Sequence, residues 1–384
     1  MNRKIWFFAV LWGAVFVYLW IKAPEIEKRS SLKETPTPIA TILPAINEPN
    51  PAWNKLVVEL ENEIDRGHFK TAQELLDQAK KISDQDPNPL ESVEVLGWQG
   101  FLNYRMGRLT QAEQVLRSAL SLGEQKLGVD NPHLARIWCD LGNVLEDVAK
   151  YGEAKACIVK AITIHNRSNP VEDKFTAKYL GSLSRNQMET GDLASAENTC
   201  MKALGILWNT VPMDDAEVGW MYMRLGCTWT DMGKKKGAEE TLKKAVAILE
   251  KALDPADPNI SWVYTKLGEL YVDEKRLDEA LTMFQKALNR RLAAHDPKDV
   301  YLAYTLLSVG HIYEIKKEYA QAEPYFRRGL EIRRELLGPT HPITSWLYGR
   351  LENIYLKQGK KAKATALRKE KENDISTQVK NKGK

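Results

Sequence analysis

The 384-residue sequence has little of what enzymes are usually built around. Its six histidines, His68, His133, His165, His295, His311 and His341, share no metal-ligand spacing, and four of them fall in or beside turns or helix ends. There is no His-Glu-x-x-His, no Cys-x-x-Cys, no phosphate loop and no Gly-x-Ser-x-Gly, which removes the commonest routes to zinc, a nucleotide or an activated serine. Asp254, Asp257 and Asn259 have the outline of a calcium loop, but the prolines between them make the stretch a linker. The four cysteines, Cys139, Cys157, Cys200 and Cys227, read as free, partly buried thiols, which argues mildly against an oxidising compartment. The expectation is no catalytic site, no metal and no cofactor.

Charge of one sign is also scarce. The net charge is +4, and residues 357–384 alone carry ten Lys/Arg against three acidic residues. No aromatic residue interleaves with these cations, so the stretch reads as a solvated helix end followed by a disordered basic tail over 372–384, and nucleic acid is not an expected partner.

Long apolar runs are absent except for one. Asn2-Arg3-Lys4 precedes IWFFAVLWGAVFVYLWI, seventeen uncharged residues from Ile5 to Ile21, closed by Lys22. A helix of that length covers about 25 Å, and snorkelling of Lys4 and Lys22 lets it reach across a hydrocarbon core of about 30 Å. Trp6, Tyr18 and Trp20 suit the interface. The bulky residues and proline of Leu-Trp-Ile-Lys-Ala-Pro argue against signal cleavage. Residues 1–22 are therefore expected to be a retained anchor with its span at 5–21, giving a single-pass membrane protein. The positive residues on the two flanks do not decide orientation. The short basic start resembles an export signal, which puts the body of the chain on the non-cytoplasmic side. Residues 23–51 then hold six prolines and read as a semi-extended linker, able to reach up to roughly 90 Å.

Beyond the linker the chain repeats. Alanines stand at 112, 154, 196, 238, 280, 322 and 364, a period of 42 without slippage, with an earlier copy at Ala72. Around each stands an apolar head residue, a second apolar residue four after the alanine, and a small residue three further on, as in Leu277-Ala280-Phe284-Ala287. Ahead of this lies aromatic-x-x-Leu-Gly-x-x-aromatic or Leu, as in YTKLGELY at 264–271 and YMRLGCTW at 222–229. Glycine on the first helix lets the alanine-bearing helix approach closely, and the larger apolar residues fill the next layer. YAQAEPYFRRGLEIRRELLGPTHP at 319–342 is a long second helix ended by Leu-Gly, with Pro342 starting the approach to the next unit.

These motifs resemble the tetratricopeptide repeat, in its 42-residue form found in kinesin light chains and many bacterial proteins. LEIRRELLGPTHP and AEPYF carry the resemblance most closely, which covers 128–371 well and 52–127 loosely. The paired Asn that this family often places in the first helix is missing; Cys139-Asp140, Gly181-Ser182, Thr265-Lys266 and Gly349-Arg350 stand there. The resemblance implies an all-α, right-handed solenoid of about eight helix-turn-helix units after one N-terminal transmembrane helix. The units are expected near 52–91, 92–133, 134–175, 176–217, 218–259, 260–301, 302–343 and 344–371.

Repeat arrays work through their inner surface. On the first helix of a unit, the residue two places before the core aromatic lies about 160° from the core stripe. That position is Trp220, Trp262, Tyr304 and Trp346 in the last four units, and Arg136 and Lys178 earlier. Arg224, Lys266, Arg350, His311 and Asn353 share the face. Aromatics beside cations suit an extended peptide with a hydrophobic anchor and acidic neighbours; the same indoles could instead pack on the adjoining helix. The expected function is a membrane-tethered scaffold that binds a protein or peptide in this groove. The alternative is a structural subunit or assembly factor of an envelope complex, docking through its convex face or ends.

Overall fold

The computed structural model describes residues 51–382 apart from 67, 86–87, 256 and 294–299. The expected anchor at 5–21 and nearly all of the proline-rich linker lie outside the described residues. Among the described residues no helix is long and apolar enough to cross a membrane.

Sixteen α-helices follow one another, with no strand among the described residues. They pair as eight units: α1 (Pro51–Asp65) with α2 (Phe69–Gln85), α3 (Pro89–Arg105) with α4 (Leu109–Leu127), α5 (Leu134–Asp147) with α6 (Tyr151–Ser168), and α7 (Lys174–Glu189) with α8 (Leu193–Thr210). Then come α9 (Ala216–Asp231) with α10 (Lys235–Ala252), α11 (Ser261–Asp273) with α12 (Leu277–Ala293), α13 (Val300–Ile315) with α14 (Tyr319–Leu337), and α15 (Pro342–Lys357) with α16 (Lys361–Lys382). Odd-numbered helices are the first of each unit. The chain divides into two compact units, one holding α1–α12 and the other α13–α16.

The repeat code works by contact. Ala72, Ala112, Ala154, Ala196, Ala238, Ala280 and Ala322 have no exposed surface at all, so nothing larger fits where the helices of each pair touch. The glycine of the first helix faces the large apolar residue of the second: a methyl group at Gly268 would stand 2.8 Å from Phe284 Cε1. That separation is too short for two carbons, so glycine is required there.

The turns inside the second to eighth pairs are as regular as the helices. Residues 107, 149, 191, 233, 275, 317 and 359 all have positive φ, between 59° and 79°. Four are glycine, but Ala149, Lys275 and Lys317 adopt the same left-handed conformation at a cost of roughly 1–2 kcal/mol each. Between pairs, side chains start the next helix. Asn88 accepts from the Leu90 N–H, so α3 begins at Pro89, ahead of the boundary expected at 92. Asp173 accepts from the Thr176 N–H while Thr176 returns the bond, a capping box at the start of α7.

The last helix departs from expectation. α16 runs past residue 372, where a disordered tail is expected, to Lys382. The reason lies on its inner side. Glu370 and Asp374, one turn apart, meet Arg334 at 2.7 and 3.1 Å, and Tyr348 donates to Asp374 at 2.6 Å. These ties hold the extra turn against α14 and α15.

Candidate functional site

In the unit of α1–α12 the first helices of successive pairs lie side by side. Side chains link helices far apart in sequence: Lys178 Nζ lies 3.9 Å from Glu61, Arg185 reaches Tyr104 OH at 3.5 Å, and Arg105 donates to Asn259 at 3.2 Å. The array curves tightly enough for α3 to meet the turn before α11. The face between them is a concavity lined by side chains of the odd helices.

The sequence-predicted residues of this unit, Trp220, Arg224, Trp262 and Lys266, are all half-buried. Trp220 packs against the core formed by Ala245, Leu249, Ile260 and Val263. Trp262 has the Arg291 guanidinium 5.7 Å from its ring. The indoles thus lean on neighbouring helices while keeping part of their surface open. Arg224 passes over Gly181, where its Nε lies 3.3 Å from the place of a methyl group. Lys266 pairs with Glu269 at 3.0 Å on its own helix.

In the unit of α13–α16 the structure brings three of the expected residues together through one that was not expected. Arg350 pairs with Glu314, and His311 Nδ1 lies 3.7 Å from the same carboxylate. Arg350 also sits over the Trp346 ring at 5.4 Å, and Trp346 packs against the core around Leu347. Tyr304 is half-buried and Asn353 exposed. Glu314 follows His311 by three residues, a helical neighbour spacing that could have drawn attention to it.

Sequence reasoning passed over the acidic residues of the first unit. Asp140 is buried, and burial pushes its carboxyl up to about 6 although Arg136 pairs with it at 3.0 Å. Glu146 is buried too, and burial pushes it up to about 7. Arg185 Nε lies 3.2 Å from its Oε2, yet neither carboxylate oxygen accepts a hydrogen bond. Burial raises the thiols of Cys139 and Cys227 to about 12 and of Cys157 to about 11, which keeps them protonated at neutral pH. No group of three or more metal-ligating side chains occurs among the described residues.

A tetratricopeptide repeat model matches residues 91–167, 217–293, 259–335 and 301–370. These matches cover more than half of the sequence, and the chain belongs to the tetratricopeptide repeat family. No curated protein matches it in sequence. Among solved structures, a Rap protein complexed with Competence and Sporulation Factor is similar with a TM-score of 0.55 and 16% identity, over 84% of this chain and 90% of that one. The apo quorum sensor NprR from B. thuringiensis is similar with a TM-score of 0.55 and 12% identity, over 84% of this chain and 87% of that one. The nearly identical TPR-like repeats of a Podosopora anserina kinesin light chain overlay at 0.45 and 16% identity, over 52% of this chain and 95% of that one. At these identities the first two overlays bear on the fold alone: an all-helical repeat solenoid.

Proposed function

We propose that the chain is a membrane-tethered, non-catalytic scaffold that holds a peptide or protein partner against the inner faces of its odd helices. The observation that carries this reading is the composition of that face. It bears half-buried indoles, cations and unpaired carboxylates where the opposite sides of the same helices bear only core. The similarity to a Rap protein solved with Competence and Sporulation Factor, a fold of comparable length that holds a factor, supports the same use of the fold. Tethering rests on the apolar stretch at 5–21 and the prolines after it. A photo-reactive residue placed at Lys266 in the membrane-bound full chain should form a partner adduct, and retention after a carbonate wash, with residues 1–21 present, should accompany it.

A second reading has its own support. Val129, Val171 and Met213 stand 42 residues apart in the turns between pairs and are 56%, 76% and 55% exposed. Such a row suits rigid docking along the turn edge in an envelope assembly. Adducts from Met213 and none from Lys266 would favour it over the inner-face reading.

A further inference from the structure

The inner face of the α1–α12 unit has a polarity along its helices. Near the helix starts stand Arg136, Lys178, Trp220 and Trp262; at the helix ends stands a row of acids. Asp147 is the last residue of α5, Glu189 of α7, Asp231 of α9 and Asp273 of α11. They keep the 42-residue period, and none of these four helices has a basic residue in its last turn. A helix ends in the negative pole of its dipole, so each carboxylate occupies the end that disfavours it.

Only one of the four closes an ion pair. Asp147 pairs with Arg185. The side chains of Glu189, Asp231 and Asp273 close no ion pair and accept no hydrogen bond within the described residues. Arg185 and Lys266 both act on Glu189 across space, but Arg185 pairs with Asp147, and Lys266, which also acts on Asp231, pairs with Glu269; Lys235 bonds the backbone carbonyl of Asp273 at 3.3 Å. Burial raises all three carboxyls, and the acids raise one another: Asp147 and Asp231 act on Glu189, and Glu269 and Asp273 on Asp231. Asp231 is nonetheless open to water, as expected of a group on a concave floor. Glu146, 2% exposed and beside Asp147, adds a carboxylate whose oxygens accept no hydrogen bond although Arg185 Nε lies 3.2 Å away, in the field of Arg185 and Arg224 as well as of Asp147 and Glu189.

A second row of acids in the same unit differs from it. In the turns between pairs, another 42-residue row of acids, Asp130, Glu172 and Asp214, is paired throughout, with Arg167, Lys202 and Lys251 at 2.8, 2.7 and 2.5 Å. In the inner row only Asp147 is paired.

We infer that the carboxylate row Asp147–Glu189–Asp231–Asp273 is a docking strip for a partner segment carrying spaced lysine or arginine residues. The spacing follows from the helices. Packed helices stand about 8–10 Å apart, and an extended chain advances about 3.3 Å per residue, so a cation about every third residue meets successive carboxylates. The bound cations supply the pairing that the helix ends lack, and the aromatic row at the helix starts takes the apolar residues of the same segment. This rests on the inner face being the binding surface.

The test uses the full chain and two labelled twelve-residue probes, one with lysine at every third position and one with glutamate there, measured by fluorescence anisotropy. The lysine probe should bind, more weakly as salt rises. The triple variant Glu189→Gln, Asp231→Asn, Asp273→Asn should lose tenfold or more in affinity while its melting temperature stays level or rises, because like charges have been removed. A merely structural row would lower the melting temperature instead. Lysine-probe binding unchanged in the triple variant overturns the inference, as does binding of the glutamate probe alone. The second result would leave the inner-face scaffold reading standing, whereas an inner-face failure shows separately as adducts from Met213 only.

Discussion

Lys234 Nζ lies 2.7 Å from Glu197 Oε1, joining the turn before α10 to the second helix of the preceding pair. The same link, 37 residues long, recurs as Lys150 with Glu113 at 3.0 Å, Arg276 with Glu239 at 2.8 Å and Lys360 with Glu323 at 2.7 Å. Each turn is thereby pinned to its neighbour, and the hydrogen bond from Lys234 holds the Glu197 carboxyl below its ordinary range. Because the folded value is lowered, this contribution is present above the unfolded carboxylate value of about 4.3 and fades as pH falls through the folded one. A double-mutant cycle of Lys234→Met and Glu197→Gln should give a coupling of about 0.2–1 kcal/mol at pH 7, vanishing near pH 2. Urea unfolding at the two pH values checks it, and an equal coupling at both would contradict it.

The left-handed turn residues yield a stabilising change. Lys317 has φ of 62° and an exposed side chain, so Lys317→Gly removes backbone strain and no contact. Relief of roughly 1–2 kcal/mol, less the greater freedom of glycine when unfolded, leaves a gain of about 0.5–1 kcal/mol. The converse change, Gly233→Ala, should destabilise by a similar amount. Thermal unfolding of both variants decides, and a loss in Lys317→Gly would show that the strain argument fails.

Much of the fold was legible in the sequence because each unit repeats its contacts at fixed positions. The alanines, the glycine facing Phe284 and the close of each second helix all reappear where the period put them. The extra turns of α16 were not legible, since a Lys-rich stretch reads as tail until Arg334 and Tyr348 are seen to hold Asp374. At the inner face the sequence pointed to aromatics and cations by helical angle. It could not show that Trp220 leans on the next pair, nor that Arg350 is already tied to Glu314. The acid row was overlooked because a carboxylate at a helix end reads as solvent-facing unless its missing partner is visible.

Close packing at the glycine contact makes a sharper claim. Gly268→Ala sets a methyl group 2.8 Å from Phe284 and should cost about 1–3 kcal/mol. Shortening the opposing side chain in Gly268→Ala/Phe284→Leu should recover part of that loss. Melting curves of the single and double variants test this, and a double variant as unstable as the sum of its parts would refute the contact.

Glu146 makes the fold sensitive to neutral pH. Its folded value, pushed up to about 7 by burial, exceeds the unfolded value, so its contribution is complete at low pH and is lost as pH rises from about 4.3 to about 7. Wild type should therefore lose stability across that window, on the order of 3 kcal/mol from this group. Glu146→Gln should flatten the dependence and be the more stable protein at pH 8. A steeper loss in the variant would mean that the charge pair with Arg185 outweighs burial.

The central claim, that a partner is held on the inner face, is tested most directly by capturing the partner with the full chain and with Trp262→Ala/Lys266→Ala, recording melting temperatures alongside. Leu267→Ala is the control, since Leu267 is 3% exposed and should destabilise through a cavity. The account predicts capture reduced tenfold or more in the Trp262/Lys266 variant, with melting lowered far less than in the control. Capture at the wild-type level, or melting as early as Leu267→Ala, would contradict it.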